Sequence, residues 1–156
     1  MSVDETPDPR LDTAAGLREL ARDGRRDLLG AVMTRAVREA PEALAVAAAD
    51  CLGSFADPRA ELALVRLLRH RALKARLAAA AGLAKFGTPR CLPALARAKS
   101  EVRFGRGSAA ATFEDAETRV RARASRAGAL SVTDAGGGLS SALEVGALSE
   151  VEGRGP

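Results

Sequence analysis

The sequence predicts an all-α fold, a short α-solenoid of stacked helical hairpins followed by a disordered C-terminal tail. Three observations carry that expectation. The stretch FADPRAELALVRL (55–67) returns thirty-one positions later as FGTPRCLPALARA (86–98). Apolar residues recur at helical spacing on both sides of the proline-containing break in each copy. From residue 128 onward the composition changes to Gly, Leu and Ser.

Taken in order, residues 1–12 read as a flexible, acidic leader. Residues 13–126 read as the helical repeat domain, and 127–156 as a low-complexity tail. Two helices are expected first, LDTAAGLRELARDG with Leu17 and Leu20, and RRDLLGAVMTRAVREA with Leu28, Leu29, Val32 and Val37. They diverge from the repeat because terminal units cap the array. LAVAAADCLGS (44–54) then aligns with ARLAAAAGLAK (75–85). The stripes Leu44, Ala48, Cys51, Leu52, Phe55 and Leu73, Leu77, Ala80, Leu83 make each a helix.

The turns ADPR and GTPR follow, with Asp57 and Thr88 placed as N-caps and Pro58 and Pro89 where a first turn tolerates a missing N–H. The period resumes with Leu62, Val65, Leu68 and with Leu92, Leu95, Ala96. EVRFGRGS (101–108) reads as a loop. A seventh helix is expected over about 110–126, ending near Gly128. In the tail Gly128/Gly137/Gly146, Leu130/Leu139/Leu148 and Ser131/Ser140/Ser149 lie nine apart, a second repeat too poor in apolar residues to order itself.

Six positions are identical between the long copies: Phe55/Phe86, Pro58/Pro89, Arg59/Arg90, Ala63/Ala94, Leu64/Leu95 and Arg66/Arg97. One hairpin cannot bury its apolar faces on both sides, whereas stacked hairpins bury them against each other. The repetition is therefore how the chain builds a core. LAAAAGLAKFGTPRCLPALARA resembles the short HEAT-like repeat also found in phycobilin lyases, over roughly residues 41–100. The resemblance implies a HEAT-like solenoid. It also implies that the second helix of each hairpin lines a concave face.

Composition narrows the function. Of 156 residues 47% are hydrophobic, yet there is no Trp or Tyr and only four Phe. The acidic N-terminus and the lack of any long apolar run point to a cytoplasmic protein without a membrane partner. Cys51 and Cys91 sit within helical patterns and read as small core hydrophobes rather than as a disulfide or metal knuckle. His70, the only histidine, lies between Arg69 and Arg71 and reads as a solvated loop residue. It has no second histidine with which to hold a metal. No nucleophile elbow or phosphate-binding glycine loop is present, so neither catalytic residues nor a cofactor are expected.

Charge is the one surface feature with consequence. Residues 59–106 carry nine Arg and three Lys against Glu61 and Glu101 alone. Arg59, Arg66, Arg69, Arg90, Arg97 and Lys99 would lie on the second helices, positioned to contact an acidic surface. These residues predict a non-enzymatic protein-interaction module with an acidic protein partner. A nucleic-acid-associated HEAT-like protein and a remote relative of bilin lyases are the alternatives, and self-association stays open. Without Trp or Tyr the chain is poorly equipped to stack bases. The acidic residues near the C-terminus suggest that the tail folds back over the basic face.

Overall fold

The computed structural model describes residues 8–37, 39–102 and 107–135, with side chains through 128. Seven α-helices run through them: α1 (Ala14–Arg22), α2 (Leu29–Arg35), α3 (Glu42–Phe55), α4 (Ala60–Leu67), α5 (Leu73–Phe86), α6 (Leu92–Val102) and α7 (Gly107–Ala135). The described residues contain no β-strand. Residues 136–156, with most of the nonapeptide repeat, and the proposed folding back of that segment lie outside the described residues.

Local chemistry places the helix ends. Thr13 Oγ1 accepts the Gly16 N–H at 3.1 Å and starts α1. Of the two expected caps, Thr88 caps the short turn Pro89–Cys91 that leads into α6, whereas Asp57 closes a turn ahead of α4, which itself starts without a side-chain cap. Asp57 Oδ1 accepts the Arg59 N–H at 2.8 Å, and Thr88 Oγ1 accepts that of Arg90 at 3.4 Å. Each satisfies a backbone N–H in the turn that leads into its helix.

Helices α1, α3, α5 and α7 stack side by side, and α2, α4 and α6 lie against α3, α5 and α7. This is the stacked-hairpin solenoid that the repeat requires. The core is continuous from Leu11 through Val120. Much of the α3–α5 seam is alanine, with Ala45, Ala48, Ala49, Ala75, Ala79 and Ala80 buried. Where the two helices come closest, a Cβ on Gly53 would stand only 3.1 Å from Gly82 Cα. Small side chains thus let backbones approach, and dispersion contacts replace the bulk of large hydrophobes.

The structure corrects several expectations. In α4 the buried stripe is Ala60, Ala63, Leu64 and Leu67, and Leu62 is 59% exposed. Leu62 is two residues from Leu64, a rotation of about 200° that puts it on the opposite side of the helix. The pattern misled because alanines, not the largest apolar residues, mark the inward face. In α6 the expected Ala96 is exposed while Leu95 and Ala98 are buried, because Ala96 lies about 200° around the helix from Ala98. Val37, just past α2, is also exposed, at 44%.

His70 is not solvated. It is 1% exposed, and the turn after α4 points it inward between two exposed arginines. Its Nδ1 accepts the Ala72 N–H at 3.0 Å. The other nitrogen, Nε2, therefore carries the proton and donates to the Ala40 carbonyl at 2.8 Å. Both ring nitrogens are used in tying the loop before α5 to the loop before α3. Of the expected loop at 101–108, residues 101 and 102 belong to α6 and 107 and 108 to α7, while residues 103–106 lie outside the described residues. Helix α7 does not stop near Gly128 but continues to Ala135. The alanines at 122, 124, 127 and 129 favour helix strongly enough to carry one glycine, which costs about 1 kcal/mol.

Candidate functional site

The basic residues predicted to bind a partner fall into two groups. Arg59, Arg66 and Arg69 belong to α4 and its flanks, and all three are exposed. Arg59 lies back on Asp57, its Nη2 2.9 Å from Oδ2. Side-chain hydrogen bonds from Arg59, followed by the one from its backbone N–H, hold the Asp57 carboxyl down to about 2. Arg66 and Arg69 have no ion pair among the described residues. Neither does Arg90, which is exposed in the short turn Pro89–Cys91 that leads into α6.

The α6 cations differ, since acidic side chains already engage them. Arg97 Nε lies 3.4 Å from Glu101 Oε1, and the other Glu101 oxygen takes Arg76 of α5 at 3.1 Å. Lys99 Nζ turns toward α7 and meets Glu117 Oε2 at 2.9 Å, where Arg121 adds a contact of 3.4 Å. Glu117 is 2% exposed, so Lys99 serves to neutralise a buried carboxylate. Glu117 Oε1 and Arg76 Nε are buried without hydrogen-bond partners of their own.

Several polar residues that the sequence did not single out turn out to hold the repeats in register. Glu61 Oε1 accepts both the Thr88 N–H at 3.0 Å and the Thr88 hydroxyl at 2.8 Å, so the start of α4 clasps the next hairpin's turn. Arg123 reaches from α7 to the end of α5. There Nη1 donates to the Ala84 carbonyl at 2.6 Å, and Nη2 to those of Leu83 and Gly87 at 3.1 and 3.0 Å. A guanidinium thus supplies donors to the carbonyls at the end of α5, at the negative end of its dipole. It adds a second donor to Leu83, whose carbonyl already accepts the Gly87 N–H at 2.7 Å. No periodicity marks Arg123. Only the stacking of α7 on α5 brings it there.

Cys51 and Cys91 are both free and buried, as their helical setting predicts. Burial first, and then Asp50 for one and Glu61 for the other, push both thiols up to about 11. Neither is a thiolate nucleophile near neutral pH. On the opposite layer α3 and α5 leave an open groove of about 250 Å³, whose polar lining is Asp50, Ser54 and Lys85. Burial pushes the Asp50 carboxyl up, against the opposing pull of Arg18 and Lys85.

Among the described residues no three His, Cys, Asp or Glu side chains are grouped to hold a metal ion. No helix among them is long and apolar enough to cross a membrane. What the exposed second-layer helix offers instead is fixed positive charge on a rigid support. A family model for HEAT repeats matches residues 31–114. No curated protein and no solved structure matches the chain.

Proposed function

The chain belongs to the HEAT-repeat family, and from that premise we propose that it is a non-enzymatic interaction scaffold whose basic second-layer face takes an acidic protein partner. HEAT repeats commonly serve as protein-interaction scaffolds, which supports the class of function. The observation that carries the charge preference is the set Arg66, Arg69 and Arg90, exposed and without an ion pair among the described residues. Arg59 and Arg97 would add charge by exchanging Asp57 and Glu101 for carboxylates of the partner. Lys99 would contribute field rather than contact, because Glu117 already holds it. Guanidinium groups suit this role because they meet carboxylates in bidentate geometry and lose little hydration on pairing.

Charge of this kind accelerates encounter and fixes register more than it adds affinity. Arginines also attract phosphates. Stacking of bases, however, needs exposed aromatic faces; of the phenylalanines among the described residues, Phe55 and Phe113 are buried and Phe86 is half-buried against the core. The protein partner is therefore the reading adopted.

The test is capture from the lysate of the source cell with the full chain as bait, beside a variant carrying Arg66→Glu, Arg69→Glu and Arg90→Glu. A specific protein should be retained by the wild type and lost from the variant. Its binding should weaken, without vanishing, at about 0.5 M salt. Equal retention by both baits would overturn the use of this face. Recovery of nucleic acid alone, with a steep salt dependence, would overturn the choice of partner.

A further inference from the structure

Leu62 is one of two large hydrophobic side chains left exposed among the described residues. Its neighbours on the helix surface give that exposure a direction. Arg66, four residues after Leu62, shares its face of α4, and Arg59 and Arg69, three before and seven after, flank the helix just outside its two ends. All three are exposed, Arg66 and Arg69 without an ion pair among the described residues and Arg59 paired with Asp57, and half-buried Val65 adjoins the same ridge. The helix's inward side is occupied by Ala60, Ala63, Leu64 and Leu67, so this outer ridge is free of packing duties. It combines one apolar knob with three guanidinium groups over about three turns. The second repeat does not reproduce it. The residue equivalent to Leu62 is Pro93, and there Arg97 is engaged by Glu101.

We propose that the outer ridge of α4 is the docking site for an acidic amphipathic helix of a partner protein. Leu62 is the apolar anchor, and Arg59, Arg66 and Arg69 pair with carboxylates that flank the partner's apolar stripe. This rests on the scaffold reading above and adds to it the face, the anchor and the form of the occupant. Charge complementarity demands an acidic occupant. Leu62 demands an apolar one at the same time, and a phosphodiester backbone offers only the first. A helix meets both demands because its side chains recur at the spacing of the α4 ridge, so that one ridge lies along the other's groove.

The experiment measures binding of the full chain to three labelled probes. One is a short helical peptide with glutamates flanking a leucine stripe, one is the same peptide with each leucine changed to alanine, and one is duplex DNA. The leucine peptide should bind about tenfold more tightly than its alanine counterpart, the effect expected of burying about one leucine. That difference should persist at high salt. Leu62→Ser should abolish it, while Leu62→Met, which keeps an apolar side chain of similar size, should retain most of it. Because Leu62 is exposed, neither change disturbs the core.

Equal binding of both peptides, or a leucine preference that survives Leu62→Ser, overturns the proposal. If the acidic peptides still bind in that case, the scaffold reading stands without it. If neither peptide binds even at low salt, both fall. A shift from oligomer to monomer in Leu62→Ser, seen by sedimentation, would assign the ridge to a second copy of this chain and would also overturn the proposal.

Discussion

Ala56 and Gly87 occupy the same place in successive repeats, yet their backbones reverse the usual preferences. Ala56, closing α3, adopts the left-handed region with φ 48°, where an L side chain costs about 1–2 kcal/mol. Gly87, closing α5, has an ordinary φ of −55°. Its lack of a side chain answers a different need, since a Cβ there would stand 2.7 Å from the Leu83 carbonyl and 3.0 Å from Cys91 Sγ. Ala56→Gly should therefore raise stability by about 0.5–1 kcal/mol, after the greater freedom of glycine in the unfolded chain is subtracted. Gly87→Ala should lower it. Urea unfolding midpoints of the two variants measure both signs. His70 teaches a similar lesson: its flanking arginines suggested solvent, but one residue of a turn can face inward while its neighbours face out.

At the scale of elements, the hairpins are joined by polar clasps as well as by apolar seams. Glu61 binds the turn before α6, and Arg123 caps α5 from α7. His70 joins two inter-hairpin loops. Removing the guanidinium leaves three carbonyls at the α5 terminus without those donors. Arg123→Met, which preserves much of the side chain's apolar stem, should cost about 1–3 kcal/mol by denaturant unfolding. Arg123→Lys should recover only part of that loss, because one ammonium cannot reproduce a fork spread over Leu83, Ala84 and Gly87. An unaltered midpoint in Arg123→Met would mean that water satisfies these carbonyls equally well.

For the molecule as a whole, the two buried thiols make stability fall in alkali. Each has a folded pKa of about 11 against an ordinary value of 9.0, so the folded state holds its proton where the unfolded state has lost it. Stability is full below about pH 9 and declines as pH rises toward 11. The decline amounts to about 2–3 kcal/mol per thiol once both states are ionised. Thermal midpoints measured across that range should drop, and the slope should shrink in a Cys51→Ala, Cys91→Ala variant. A thiol reagent should react only as fast as the chain unfolds.

The sequence by itself determined the fold class, the number of helices and the turns. Those follow from local period, caps and a thirty-one-residue repeat, all of which are written in neighbouring residues. It also located the basic segment and the burial of both cysteines. Tertiary structure decided which side of each helix faces in. In an alanine-rich helix the inward stripe is set by how closely the next backbone can approach, as at Gly53 and Gly82, rather than by where the largest apolar side chains fall. That is why Leu62, read as core, became an exposed ridge residue, and why Lys99, read as part of the binding face, was drawn to a buried Glu117. Stacking also decided the roles of Glu61, His70 and Arg123, because their partners are distant in sequence and become neighbours only when hairpin lies on hairpin.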